Sequence, residues 1–111
     1  MEESLLICEY LDHLDGNPTL TAPPGAAGLA TKRVEATARS MLDGLSLWGR
    51  EYLYRPAEIR SEVLIEHEHA RALRLADYFE TEAEGPVMTG PLNMAQITLV
   101  AALHEIGRAH V

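Results

Sequence analysis

Cysteine is almost absent. Cys8 is the one thiol in 111 residues, so no disulfide can form within the chain, and a reducing compartment suits it. No run approaches the roughly 18 consecutive apolar residues that a membrane span requires. The opening Met1-Glu2-Glu3-Ser4 has no basic stretch ahead of its apolar residues, so a secretory leader is not expected. Cytoplasm is therefore the expected compartment. Positive charge is scarce too: 9 basic residues face 17 acidic ones, for a net charge of −8 and a pI of about 5.0. That sign repels phosphate backbones and anionic lipid, which argues against nucleic-acid and membrane partners. The sequence has no internal repeat, no low-complexity block and no convincing strand pattern.

What is present suffices for one domain. Apolar residues make up 47% and can supply a core, while 23% charged is ordinary. Proline and glycine cut the chain into four segments. In the first, residues 4–14, Ser4 is the expected N-cap, because its hydroxyl can accept from a first-turn N–H. Ile7, Leu11 and Leu14 recur at gaps of four and three, the mark of one buried helix face. Asp15-Gly16-Asn17-Pro18 ends this helix, glycine by supplying a left-handed residue and proline by refusing to continue. Residues 16–25, with Pro18, Pro23 and Pro24, read as a connection between two packed units.

The second segment, residues 26–54, carries Val34, Ala38, Met41, Leu45, Trp48 and Tyr52 at gaps of 4, 3, 4, 3 and 4, an amphipathic helix pattern. Gly44 and Gly49 inside it weaken the helix by roughly 1 kcal/mol each relative to alanine and suggest close backbone approach or a kink. Arg55-Pro56 stops it. The third segment, residues 57–83, has one row of Ile59, Val63, Ala70 and Leu73 and a second of Ile65, Ala72 and Phe79; Glu84-Gly85-Pro86 ends it. The fourth begins at Asn93, a cap acceptor three residues before Gln96, whose side chain is placed to reach back to the cap N–H. Leu92 and Ile97 are spaced for a hydrophobic staple. Ile97, Leu99, Val100, Ala101 and Leu103 make this helix apolar on most sides, so it is expected at the centre of its domain.

Two stretches resemble glutathione transferases. Glu3-Ser4-Leu5-Leu6-Ile7-Cys8-Glu9-Tyr10-Leu11-Asp12 is similar to the acidic-Ser-x-x-Ile-x-x-Tyr-Leu signature that opens the third helix of that family's thioredoxin-like domain. Gly90-Pro91-Leu92-Asn93-Met94-Ala95-Gln96-Ile97 resembles the cap of the buried central helix of the all-helical second domain. The proline-bearing loop and the two long helices between them match in order and length. Asn93 and Gln96 stand where the family usually has Ser or Thr and Asp. Both keep the hydrogen-bonding role, and together they remove a negative charge from the helix start.

The resemblance implies an all-α chain in three parts. Residues 1–15 are the terminal helix of a truncated thioredoxin-like domain, 16–25 the interdomain loop, and 26–105 a partial helical domain. It implies a homodimeric cytoplasmic parent that adds the glutathione thiolate to a hydrophobic electrophile, with glutathione as co-substrate and no metal. Glu3 and Ser4 would hold the γ-glutamyl end: the Glu3 carboxylate takes the ammonium, and the Ser4 hydroxyl with the helix-start N–H groups takes the carboxylate. The thiol-activating Tyr, Ser or Cys would precede residue 1, along with the strands and cis-proline region that fix the peptide. No catalytic residue is assigned, and the chain alone is expected to be inactive. The other class on the same fold is a non-catalytic binding or scaffold protein contacting transcription or translation machinery; an upstream activating residue would favour the enzyme. The last six residues, Ile106-Gly107-Arg108-Ala109-His110-Val111, resemble the translation of a common short-read sequencing adapter (ATCGGAAGAGCACACGTC), so the genuine sequence is expected to stop near Glu105; the plainer reading is a real chain terminus.

Other constellations have plainer readings. In Glu66-His67-Glu68-His69 the two histidines, two apart on a helix, point to different sides and cannot readily share a metal; a solvated face is expected. His104-Glu105-Ile106-Gly107-Arg108 nearly spells the zincin motif but puts Arg108 where its second histidine belongs. Cys8 is expected to be a packed thiol. Trp48, Tyr52 and Tyr54 either fill core or line a substrate pocket or dimer interface. Arg33, Arg39 and Arg50 are expected on exposed faces or in ion pairs. Glu3 and Ser4 have a plain reading too: a capped helix start with an acid beside it.

Overall fold

The computed structural model describes residues 3–109, and they form an all-α arrangement. Helix α1 is Ser4–His13, α2 Leu29–Tyr54, α3 Glu62–Glu82, α4 Pro86–Thr89 and α5 Met94–Ala109; single 3₁₀ turns Gly25–Gly28 and Ala57–Ile59 lead into α2 and α3. Among the described residues no helix is long and apolar enough to cross a membrane.

The long helix α2 is the wall on which the others pack. Val34, Ala38, Met41, Leu45 and Trp48 are buried along it as their spacing predicts. Complete burial of a side chain such as Val34, Met41 or Leu45 contributes roughly 1.5–3 kcal/mol. Ala95, Leu99 and Ala102 of α5 and Phe79 of α3 complete the core, with Ile65, Ala72 and Leu75 of α3 packed against it. Tyr52 departs from the expected row. It is 46% exposed, and the Arg60 guanidinium lies 4.7 Å from its ring centre. Arg60 also closes the end of α2, donating to the carbonyls of Glu51 and Tyr52 at 3.1 Å each. These are carbonyls that a helix end leaves without intrahelical partners.

Helix α3 turns the opposite way from one of the two expected rows. Ile65, Ala72 and Phe79 face the core, whereas Ile59, Val63, Ala70 and Leu73 are exposed, Val63 at 80%. Only one row can meet α2, and the row containing Phe79 buries more surface. Ser61 caps α3, its hydroxyl accepting from the Leu64 N–H at 3.2 Å. His69 is not simply solvated: its ring packs on Trp48 with centroids 5.2 Å apart.

The start of α5 follows the cap prediction in part. The Asn93 side-chain oxygen accepts from the Gln96 N–H at 3.1 Å. The Gln96 amide does not reach back to the cap N–H; it donates to the carbonyls of Val87 and Gly90, both at 3.1 Å. Val87 lies in the short helix α4 and Gly90 directly follows it, so the Gln96 amide satisfies carbonyls at that helix end. Leu92 and Ile97 are both exposed, so the expected staple buries neither. The helix is less central than its composition suggests, because Val100 and Leu103 also face solvent.

Helix α1 contributes nothing to the core. None of its residues is buried, and Leu11 and Leu14, expected on a buried face, are 57% and 61% exposed. Polar bonds hold it instead, as described below.

Two glycines record close approaches. A Cβ on Gly28 would lie 1.9 Å from the Pro23 carbonyl oxygen, so the loop backbone crosses directly over the start of α2. A Cβ on Gly44 would meet the Glu68 carboxylate at 2.4 Å and the Arg71 guanidinium at 2.8 Å. Gly28→Ala forces backbone to move and should destabilise the chain by about 1–3 kcal/mol, read as a lower urea midpoint at unchanged slope. The exposed leucines and Tyr10 of α1, with the outer row of α3, should make the isolated chain associate as its concentration rises. Sedimentation equilibrium checks this; a high-melting monomer across the accessible range would contradict it.

Candidate functional site

Glu3 and Ser4 stand together at the solvent-exposed start of α1. Their local roles differ from the expectation. Glu3, not Ser4, is the N-cap: its backbone is extended and its Oε2 accepts from the Leu5 N–H at 3.0 Å. Ser4 is the first helical residue, and its hydroxyl accepts from Arg39 Nη1 at 3.2 Å. A carboxylate at the cap suits the positive helix end, so glutamate can take the role that serine usually fills.

Arg39 is the residue that sequence reasoning placed only generically. It sits on α2, 35 positions from Ser4, and bridges two groups. Its Nε and Nη2 contact Glu35 Oε1 at 3.3 and 3.2 Å, and its Nη1 reaches Ser4. The four-residue spacing of Glu35 and Arg39 was a readable ion-pair signal. Nothing local could have indicated the reach to Ser4.

Beside this bridge, α1, the following loop and α2 enclose a partly open cleft of about 350 Å³. Leu5, Ala36 and Met94 give it apolar walls, and Lys32, Glu9 and the Glu35–Arg39 pair give it charge. Cys8 also lines it, half-buried, rather than being packed away in a core.

The cleft keeps its shape through Asp12. The Asp12 Oδ2 accepts from the Thr21 hydroxyl at 2.6 Å and the Thr21 N–H at 2.7 Å, and also from the Leu20 N–H at 3.1 Å. Oδ1 accepts from the Thr19 N–H at 3.2 Å. The loop is tied onward to α5, since the Met94 N–H donates to the Leu20 carbonyl at 3.1 Å. The Thr21 hydroxyl is the largest cause that lowers the Asp12 pKa to about 2; the Thr21, Thr19 and Leu20 N–H groups add to it, and partial desolvation works against it. Sequence reading missed this clasp. An aspartate late in a helix followed by a threonine-bearing turn hinted at it, but the bonds span seven to nine residues.

The remaining candidates lie elsewhere. Trp48 is core, Tyr52 and Tyr54 are exposed, and Glu105 pairs with Arg108 at 3.4 Å. Residues 110 and 111 of the adapter-like tail lie outside the described residues.

Asp12 sets a pH dependence with a definite sign. Its pKa is depressed from 3.8 to about 2 on folding, so its contribution is complete above about 4 and is lost as pH falls towards 2. Asp12→Asn should therefore unfold more easily than the parent at pH 7, with the gap closing between pH 4 and 2. Paired urea titrations across that range check it; a gap independent of pH would contradict the clasp.

Comparison with family models, with curated proteins and with solved structures returns no match, so the functional reading rests on the residues themselves.

Proposed function

We propose that this chain is the helical part of a glutathione-transferase-like protein, and that the start of α1 receives the γ-glutamyl end of glutathione. One observation carries the reading: an acid and a serine share an exposed helix N-terminus, with an arginine from a second helix on the serine. Glu3 uses one carboxylate oxygen on the Leu5 N–H and keeps the other for an ammonium group. Ser4 accepts from Arg39, which leaves its own proton to donate to a ligand carboxylate. The helix dipole adds positive charge where that carboxylate would lie, and Arg39, paired with Glu35, orients the Ser4 hydroxyl. The exposed apolar residues of α1 support the same reading, because the resemblance makes α1 a helix that packs on a sheet lying outside this chain.

The non-catalytic alternative has its own support. Glu3 and Ser4 already serve an internal cap and an internal bridge, which is sufficient reason for both residues in a binding or scaffold protein.

An amide NMR titration with glutathione separates the two. The transferase reading expects weak binding, with shifts concentrated at residues 3–6 and 39, and an affinity reduced about fivefold in Ser4→Ala, the loss of roughly 1 kcal/mol for one hydrogen bond. No conjugation of a chromogenic electrophile above the uncatalysed rate is expected from the chain alone. Unchanged spectra at the α1 start would leave the scaffold reading in possession.

A further inference from the structure

We propose that the cleft between α1 and α2 is a binding site for a small apolar molecule bearing one carboxylate. The inference does not rest on the glutathione reading: Leu5 and Arg39 border both places, but the headgroup is argued from Lys32, which lies away from the α1 start.

At about 350 Å³ the cleft falls within the size range of small-molecule sites. Leu5 on one side and Ala36 and Met94 on the others offer an apolar body its contact surface. The charges decide the headgroup. Glu35 and Arg39 lie at 3.2 Å and neutralise each other, so neither is available at full strength. That leaves Lys32 and Glu9. Lys32 is the chain's one lysine and makes no ion pair among the described residues. It stands near the N-terminus of the 26-residue α2, whose first turn holds no acidic residue and whose cap makes no side-chain bond. The positive end of the helix dipole therefore reinforces Lys32. Glu9 on α1 and Lys32 are both exposed, so solvent screens the two alike, and the positive end of α2 decides between them. The balance favours an anionic headgroup at Lys32 with the apolar body lying towards Met94.

Cys8, the single thiol, lines the cleft and reports its occupancy. The test measures the rate of Cys8 alkylation by neutral iodoacetamide, by mass spectrometry, with octanoate or octylammonium present below micelle-forming concentrations. Amide shifts of Ala36 and Met94 give a second measurement that does not depend on thiol reactivity. Octanoate should slow alkylation and shift both amides at concentrations where octylammonium does neither. Lys32→Gln should weaken octanoate about fivefold, the upper range for an exposed ion pair, and Glu9→Gln should tighten it. Ala36→Leu, at an exposed position, should fill the cleft and abolish the effect. Equal effects of the two probes, insensitivity to Lys32→Gln, or no effect of octanoate in either measurement would overturn the proposal.

Discussion

Both α3 and α5 depend on α2, and each packs chiefly against it. One helix must therefore present two partly different surfaces. The apolar row from Val34 to Trp48 supplies the shared core, while Gly44 opens a notch on the α3 side for the Glu68–Arg71 pair. Burying Glu68 is costly, and Arg71 at 3.5 Å offsets that cost without making the pair a strong source of stability. Its effect is on register. Arg71 also donates to the Ser40 carbonyl, and so fixes where α3 lies along α2. Glu51 acts likewise at the far end, accepting from the Ser61 N–H at 2.8 Å and pairing with Arg55. Apolar contact sets how tightly the helices hold, and these polar contacts set where.

Much of this was legible because helical periodicity is local. The buried row of α2, its stop at Arg55-Pro56 and the Asn93 cap all follow from residues within two turns of each other. What failed was the choice among faces. Helix α3 carries two apolar rows, and no local rule says that the row of Phe79 meets α2 while that of Val63 meets solvent. Helix α1 shows the same limit more sharply. Its spacing of Ile7, Leu11 and Leu14 is a sound helix signal, yet periodicity names a face without saying whether anything covers it.

The candidate site was legible only as a pair of neighbours. Glu3 and Ser4 could be singled out by adjacency and resemblance, but which of them caps the helix depends on backbone geometry that either residue type permits. Arg39 and the Asp12 clasp were hidden for a different reason. Both are polar contacts between residues distant in sequence, and polar side chains carry no periodic signature of their partners.

The way α1 is held gives the site its character. A ten-residue helix is marginal in water by itself, and α1 has no buried residue to compensate. Its position rests on a few polar links: the Arg39 bridge to Ser4 and the Asp12 bonds to residues 19–21. Arg39 holds Ser4 with one edge of its guanidinium and Glu35, in the cleft wall, with the other. The exposed α1 start and the enclosed cleft therefore share a side chain. The cleft wall reaches the buried layer through Glu35 and Met94, 9% and 8% exposed, whereas the α1 start is joined to the rest by that one polar side chain.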